Sequence, residues 1–282
     1  MKKFLILSLL GWVLACTTTK AQPSNQSPNA AVRVDPRLDQ QVPLNLTFKD
    51  ETGKTVKLSD YANGSKPIIL TLVYFRCPGL CTRVLNGMTT VLEDLAKEQA
   101  FHPGKQFTVL SVSFDPRDNP QLAQRKKQAY VERLGLPNAE QHWHFLTGGS
   151  TEIKKLTDAV GFRYRFDKKT QEYQHPSCII VLSPRGKITH YFWSLEPKAR
   201  DLRLALSESS QFKVGTLKDR FVILTCYSFN PTTGEYAFSP INVVRISGSI
   251  TLLIFGGFLL KAWFSKKKAS PAPSEQARLV PE

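Results

Sequence analysis

Two cysteines spaced four residues apart are the most chemically informative feature of the sequence. Cys77 and Cys81 follow an apolar, β-rich run over 68–75, and residues with helical periodicity follow over 82–100. The dipole of a helix favours thiolates at its N-terminus, and two thiolates can chelate a soft cation such as Cu(I), with Zn(II) as the commoner competitor. A plain disulfide in an oxidising compartment is the alternative that the spacing leaves open.

A third ligand would distinguish a metal site from a redox dithiol, and histidine is the residue to look for. The chain has five histidines: His102, His142, His144, His175 and His190. His175 lies just before a predicted strand over 178–182, and in the fold that the order of elements predicts below, the loop before that strand faces the N-terminus of the first helix. His175 is therefore the histidine expected near Cys77 and Cys81, although a loop residue without a function fits the same sequence.

The elements that would position these residues alternate between strands and helices over 42–210. The predicted strands are 45–49, 55–58, 68–75, 107–114, 144–146, 178–182 and 187–193, and the predicted helices are 82–100, 120–134, 151–160 and 197–209. Apolar runs without alternation indicate strands buried on both faces, and apolar residues at helical spacing indicate helices with one buried face. The predicted fold class is α/β, with a thioredoxin-like order of elements and an N-terminal β-hairpin extension.

Three segments together resemble the Sco/SenC family of copper proteins. They are 73–81 with both cysteines, Ser-Val-Ser-Phe-Asp-Pro-Arg-Asp over 111–118, and Gln174-His175 ahead of 179–186. Members of that family have a thioredoxin fold and help to assemble the copper centre of cytochrome c oxidase, and the likeness covers residues 40–210. The resemblance implies that Cys77 and Cys81 are thiolate ligands of one copper ion and that His175 is its imidazole ligand. It also implies that Asp115 is an acidic residue beside the site, which supports the ligands without binding the metal.

The chain departs from the family pattern in three places. The family often has an aspartate just before its histidine, where this chain has Gln174, and the change would alter the hydrogen bonding and donor strength of the imidazole. Cys178 is unexpected so close to the proposed site and is interpreted as a small core residue. Cys226 belongs to an extension over 211–240 that resembles a bacterial subgroup linked to heme–copper oxidases, and the sequence assigns it no role.

The N-terminal residues are predicted to form an export signal rather than part of the domain. A basic start is followed by an apolar run that closes with Leu14-Ala15-Cys16, which is similar to the lipobox of bacterial lipoproteins. We therefore predict a lipoprotein-type signal peptide over 1–15, lipidation of Cys16 and a flexible tether over 16–39. An ordinary signal peptide followed by an incidental cysteine is the alternative.

A second apolar stretch lies near the C-terminus. Residues 246–260 carry no charge, and 241–264 are long enough for a transmembrane helix if Arg245 and Lys261 extend outward. The lysines that follow are typical of the cytoplasmic side, so the folded domain is predicted on the periplasmic or outer face of a bacterial cytoplasmic membrane. A disordered cytoplasmic tail is predicted over 265–282. A buried hairpin of a soluble domain is the alternative.

Composition limits the classes of protein to which the chain can belong. The 282 residues are 41% hydrophobic and 22% charged, which excludes a wholly disordered or collagen-like chain, and five cysteines are too few for a disulfide-stapled scaffold. The net charge is +15, but the basic residues are scattered, so no nucleic-acid-binding face is expected. A basic surface would suit an acidic partner or anionic lipid headgroups, and an ordinary solvated surface is the alternative.

Two functions from different classes remain open on the sequence. In the first, the protein is a copper metallochaperone rather than an enzyme. It would pass copper to the copper-bearing subunit of a cytochrome c oxidase, with other copper chaperones or thioredoxin-like reductants as further partners. In the second, Cys77 and Cys81 are the redox pair of a membrane-anchored thiol–disulfide oxidoreductase, joined by a disulfide when oxidised. The two activities are compatible, since a copper-free dithiol can reduce a partner before metal loading. A peroxidase is a weaker third option, because the sequence supplies no specific peroxide-binding motif.

Overall fold

The structure of the protein is a computed structural model, and it describes residues 32–77, 79–99, 101–137, 139–211 and 227–267. The predicted signal peptide, the predicted lipidation site Cys16 and the unassigned Cys226 lie outside these residues. So do most of the predicted tether and most of the predicted tail.

Strands and helices alternate along the first two thirds of the chain. The strands are β1 Arg33–Val34, β2 Thr47–Lys49, β3 Thr55–Lys57, β4 Ile68–Val73, β5 Thr108–Ser113, β6 Trp143–Leu146, β7 Phe162–Arg163, β8 Arg165–Asp167, β9 Glu172–Gln174, β10 Ile179–Leu182, β11 Ile188–Phe192, β12 Tyr227–Asn230 and β13 Glu235–Phe238. The helices are α1 Leu58–Tyr61, α2 Leu80–Gln99, α3 Pro120–Leu134, α4 Ala139–His142, α5 Ser150–Ala159, α6 Ala199–Ser209 and α7 Pro240–Lys267.

A five-stranded sheet forms the centre of the domain, in the order β11-β10-β4-β5-β6. Strands β4, β5 and β6 are parallel, whereas β10 and β11 run antiparallel to them. Every residue of β4 is buried, as its unbroken apolar sequence predicts for a strand covered on both faces. The α/β class and the thioredoxin-like order of elements are therefore confirmed.

The topology brings three chain segments to one edge of this sheet. The carboxyl ends of the parallel strands β4 and β5 lie side by side, because Val73 pairs with Ser113. Strand β10 runs the opposite way, so its first residue, Ile179, pairs with Thr71 near that same edge. The segments that leave β4, leave β5 and enter β10 therefore meet at the edge where open α/β sheets commonly bind ligands.

Several two-stranded ladders lie outside the central sheet. The predicted N-terminal hairpin is confirmed as β2 paired with β3. Strand β1, within the predicted tether, pairs with β7, so the last residues of that segment are ordered against the domain. Two further hairpins matter below. The His175 hairpin is residues 165–174, with β8 paired with β9, and the C-terminal hairpin is residues 227–238, with β12 paired with β13.

The C-terminal part of the chain corrects one prediction. Helix α7 is long, but among the described residues no helix combines the length with the hydropathy that crossing a membrane requires. The prediction of a transmembrane helix over 241–264 is therefore wrong, and so is the location on the outer face of a cytoplasmic membrane that was built on it. The physical reason is polarity in the first half of the helix, where the exposed Arg245 and the hydroxyls of Ser247 and Ser249 interrupt the apolar run.

Candidate metal centre

The two cysteines lie at the junction between β4 and α2. Cys77 precedes the helix and Cys81 is its second residue, so the junction is a loop followed by a helical turn. Backbone donors surround both sulfurs: the N–H of Cys81 lies 3.4 Å from Cys77 Sγ, and the N–H of Tyr74 lies 3.3 Å from Cys81 Sγ. Both side chains are buried, and both are free thiols. The junction thus presents two sulfurs to one small space at the sheet edge.

His175 completes this group from the opposite side of the edge. Its Nε2 lies 3.4 Å from Cys81 Sγ, and its Nδ1 lies 2.8 Å from the carbonyl oxygen of Pro176. A carbonyl oxygen can only accept a hydrogen bond, so Nδ1 carries the proton and Nε2 keeps its lone pair in the neutral ring. This is the arrangement in which a second hydrogen bond orients an imidazole for a metal.

The three side chains form a group that could hold one metal ion. The sulfurs of Cys77 and Cys81 and a ring nitrogen of His175 all lie within 4.8 Å of one another. Among the residues that the structure describes, it is the one cluster of histidine, cysteine and acidic ligands with this spacing. The other four histidines lie elsewhere: His190 contacts Glu208, His144 lies 3.6 Å from Glu51, His142 packs against Gly104, and the backbone N–H of His102 donates to the side chain of Gln106.

Burial and nearby donors affect the three groups differently. Burial acts to raise the pKa of the Cys77 thiol, but hydrogen bonds from the N–H groups of Cys81 and Gly79 and from Tyr74 outweigh it, and the pKa is lowered. The pKa of Cys81 is raised, chiefly by burial, so this thiol keeps its proton at neutral pH. Burial also lowers the pKa of His175, against a smaller opposing effect of the Pro176 carbonyl, so the imidazole is neutral. The junction therefore offers one activated thiol, one protonated thiol and one unprotonated ring nitrogen.

Aromatic rings surround the imidazole. The ring centroid of His175 lies 5.1 Å from that of Phe114, 5.7 Å from that of Tyr74 and 6.4 Å from that of Phe162. On the solvent side, an open cleft of about 440 Å³ is lined by side chains that include Cys77, Tyr74 and His175. His175 is consequently held by packing on one side, while the metal position can be reached from the other.

Two aspartates support this edge, and the sequence drew attention to only one of them. Asp115 does not belong to the three-ligand group; it pairs with Arg117, at 2.8 Å between Oδ2 and Nη2. Asp118 accepts hydrogen bonds from the Phe75 N–H and the Ser113 hydroxyl, both at 2.7 Å. Burial raises the pKa of Asp118. Because Phe75 is two residues from Cys77, Asp118 anchors the turn that carries the first sulfur. In the sequence, Asp118 could have been identified as the second aspartate of the Asp-Pro-Arg-Asp segment.

Cys178 lies apart from this chemistry. It is buried at the start of β10, and burial raises the pKa of its thiol to about 12. It does not belong to the three-ligand group. Its surroundings are those of a small core residue, as its sequence context suggested.

Comparison with known proteins identifies a family model that matches this chain. A family model described as SCO1/SenC matches residues 31–206, more than half of the chain. A SCO2-like protein of Rickettsia typhi is 27% identical over 139 residues, which make up 46% of this chain and 62% of that protein. The chain thus spans about three fifths of the length of this curated relative.

Two solved structures are similar to this chain, and the first shows the same fold. A proposed electron transfer protein from Aquifex aeolicus is 26% identical, with a TM-score of 0.52, over 61% of this chain and 94% of that one. The ScoI protein of Bradyrhizobium japonicum, solved with copper bound, is 22% identical, with a TM-score of 0.42, over 59% of this chain and 96% of that one.

Proposed function

The chain belongs to the SCO1/SenC family, and from this premise we propose that it is a copper metallochaperone that delivers copper to a cytochrome c oxidase or prepares the copper site of that enzyme. The observation that carries the proposal is the convergence of two sulfurs and one imidazole nitrogen within 4.8 Å at the edge of the sheet. We assign Cys77, Cys81 and His175 as the ligands of one copper ion per chain.

The donor set favours a soft cation. Thiolates select Cu(I) over harder ions, and imidazole is a suitable further ligand for copper. The number of ligands is as informative as their type, because the group provides three donors and the cleft leaves one side accessible. A three-coordinate ion with an open side can accept a ligand from a partner before it loses one of its own. That property suits transfer of copper rather than permanent storage.

Protons take part in loading and release. The lowered pKa of Cys77 makes it the first sulfur to bind as a thiolate, whereas Cys81 must lose its proton when copper binds. The neutral Nε2 of His175 needs no deprotonation, because Nδ1 donates to Pro176. The copper-bearing subunit of the oxidase is the proposed acceptor, and other copper chaperones or thioredoxin-like reductants are the proposed sources of copper and of electrons for the dithiol.

One observation favours a second function, thiol–disulfide exchange. Cys77 is a thiol of lowered pKa, and Cys81 lies directly behind it in the first turn of α2. In such a reaction the Cys77 thiolate attacks a partner disulfide and forms a mixed disulfide. Cys81 then displaces the reduced partner and closes a Cys77–Cys81 disulfide. Two electrons pass to the partner, and an external thiol reductant must return them.

Copper binding by matched variants tests the first proposal. The wild-type chain should bind one copper ion and show a thiolate-to-Cu(II) charge-transfer band on addition of Cu(II). Cys77→Ser should lose the band, and His175→Ala should shift it and weaken retention. Cys178→Ser is the control, because this buried cysteine lies outside the ligand group. A full-strength band in Cys77→Ser would exclude the proposed site.

Oxidation separates the two functions. A Cys77–Cys81 disulfide removes two of the three donors, so the oxidised chain should not bind copper. Turnover of a model disulfide is then measured with the reduced chain. Little turnover together with loss of copper binding on oxidation supports the chaperone, and rapid turnover that survives His175→Ala supports the oxidoreductase.

A further inference from the structure

The hairpin that leads into His175 has little support of its own. Strands β8 and β9 are three residues each, and they pair only with each other among the described strands. Most of their side chains are partly or largely exposed. A two-stranded hairpin in isolation is at best marginally stable in water, so contacts outside the ladder must hold this one against the domain.

Arg117 supplies such a contact. Its guanidinium carbon lies 4.9 Å from the ring centroid of Phe166 in β8 and 5.6 Å from that of Tyr173 in β9. Tyr173 is two residues from His175, and its ring packs against those of Tyr74 and Phe114, which also contact the imidazole. Arg117 therefore contacts both strands of the hairpin on the approach to the third ligand.

Arg117 is itself held from the sheet. Its Nε lies 2.9 Å and 3.0 Å from the two carboxylate oxygens of Asp115, and its Nη2 lies 2.8 Å from Oδ2. The Asp115 side chain is fully buried, whereas that of Arg117 is 42% exposed. A planar guanidinium bound by two carboxylate oxygens has a defined orientation, and that orientation presents its face to the rings. The contact thus joins the loop after β5 to the hairpin.

We propose that Arg117 is a positioning residue for His175. By holding the His175 hairpin against the loop after β5, it keeps the imidazole close to the two sulfurs and so slows the release of copper. The inference rests on the proposed copper function, since it concerns how long the third ligand stays in place. Arg117 does not touch the metal position; it acts through Tyr173 and Phe166.

The chain contains a matched control for this contact. Arg200 pairs with the buried Asp201, at 3.0 Å between Nη2 and Oδ1, and its guanidinium carbon lies 5.0 Å from the ring centroid of Tyr227 in the C-terminal hairpin. The exposure of the two arginines is similar, at 42% for Arg117 and 51% for Arg200. Arg200 contacts no member of the ligand group.

The test measures the release of Cu(I) from the full-length chain to a chromogenic chelator. Arg117→Gln should release copper about tenfold faster, Arg117→Lys about threefold faster because it keeps the charge but not the planar fork, and Arg200→Gln should stay within about twofold of wild type. In the electron paramagnetic resonance spectrum of the Cu(II) form, the splitting caused by the His175 nitrogen should weaken in Arg117→Gln but not in Arg200→Gln. In a His175→Ala background, Arg117→Gln should cause no further acceleration.

Two measurements distinguish failure of the positioning role from failure of the proposed copper function. Equal release rates for Arg117→Gln and Arg200→Gln, or a full effect of Arg117→Gln in the His175→Ala background, would overturn the positioning role while leaving the copper function intact. A wild-type chain that binds no copper would instead overturn the proposed function. Hydrogen exchange at the backbone amides of 165–174 needs no metal, and it tests directly whether Arg117 holds the His175 hairpin in place. We expect faster exchange in Arg117→Gln than in the wild type. Unchanged exchange would show that Arg117 does not hold the hairpin.

Discussion

The His175 hairpin and the C-terminal hairpin are each contacted by an arginine that is paired with a buried aspartate, yet the rest of their attachment differs. The C-terminal hairpin is joined to the domain by directional hydrogen bonds. The Tyr236 hydroxyl lies 2.5 Å from a Glu208 carboxylate oxygen and 3.1 Å from His190 Nε2. The Trp193 indole N–H donates to the Pro231 carbonyl at 3.0 Å. Tyr236 is 4% exposed, so the bond between its hydroxyl and His190 is shielded from water.

The His175 hairpin is attached mainly by rings. Phe166 and Tyr173 are only partly buried, and they pack on Arg117 and on one another, with ring centroids 5.0 Å apart. Ring contacts are less directional than buried hydrogen bonds, so they allow small displacements at low cost. The difference suggests that the C-terminal hairpin is a fixed part of the domain, whereas the His175 hairpin can yield when copper is transferred.

The largest expected difference between the hairpins is in stability. Tyr236→Ala removes a buried ring and the hydrogen bonds of its hydroxyl to Glu208 and His190, so it should lower the free energy of unfolding by about 3 kcal/mol. Copper release at a temperature where the variant is folded should be unchanged. Chemical denaturation and the chelator assay measure the two quantities. Accelerated copper release in Tyr236→Ala would show that the two hairpins are coupled.

Acid should affect the metal centre before it affects the C-terminal hairpin. The raised pKa of Cys81 means that copper must displace a proton, so copper affinity should fall about tenfold for each unit that the pH is lowered through the neutral range. Because the pKa of His175 is lowered, protons compete with copper for the imidazole only when the pH is below the ordinary pKa of histidine. A competition titration at several pH values measures this slope.

The C-terminal hairpin provides the reference for that titration. Burial acts to raise the pKa of Glu208, but hydrogen bonds from His190 and Tyr236 lower it overall. A carboxylate whose pKa is lower in the folded chain than in the unfolded chain stabilises the fold at pH values above its unfolded-state pKa. This contribution is lost as the pH falls through its folded-state pKa. The free energy of unfolding that is measured from hydrogen exchange at the Tyr236 backbone amide should therefore stay constant from about pH 8 to about pH 6. A loss of that stability within this window would contradict the assignment.

A smaller effect is expected where a ring of the His175 hairpin is replaced. Tyr173→Leu keeps an apolar side chain but removes the aromatic face under Arg117, so copper release should accelerate about fivefold. Because Tyr173 is only partly buried, the loss of stability should be about 1 kcal/mol, well below that of Tyr236→Ala. Release rates unchanged from wild type would show that the rings do not hold the third ligand.

The smallest effect is expected at Gln174. Its amide oxygen accepts a hydrogen bond from Arg165 at 2.7 Å on the exposed side of the hairpin. Gln174→Asp restores the residue that the family often has and replaces this bond with an exposed ion pair, which contributes less than about 1 kcal/mol. Copper release should stay within about twofold of wild type. A larger change would mean that this position tunes the donor strength of the imidazole directly.

The local elements of the central domain could be predicted from the sequence because their signals are local. Helix α3 begins at Pro120 with Asn119 as its cap, whose side chain accepts from the Leu122 N–H at 3.0 Å, and it ends at Leu134 as its periodicity predicts. The buried strand β4 followed by two cysteines likewise indicated a sulfur pair at a helix N-terminus. The short ladders β8–β9 and β12–β13 were not predicted, since two-stranded pairs of three or four residues carry little pattern of their own.

The sequence by itself determined the two sulfurs, the fold class and the chemistry that these residue types can perform. Hydropathy alone misjudged α7, because it counted apolar length and gave too little weight to the polar residues in the first half of the helix. Only the tertiary structure decided which groups meet at the sheet edge: His175 is 94 residues from Cys81, and Asp118 is 43 from the Phe75 that it holds. The physical reason is that periodicity and capping depend on neighbours within a few turns. The distance between a sulfur, an imidazole and an arginine depends instead on how strands far apart in the chain pair side by side.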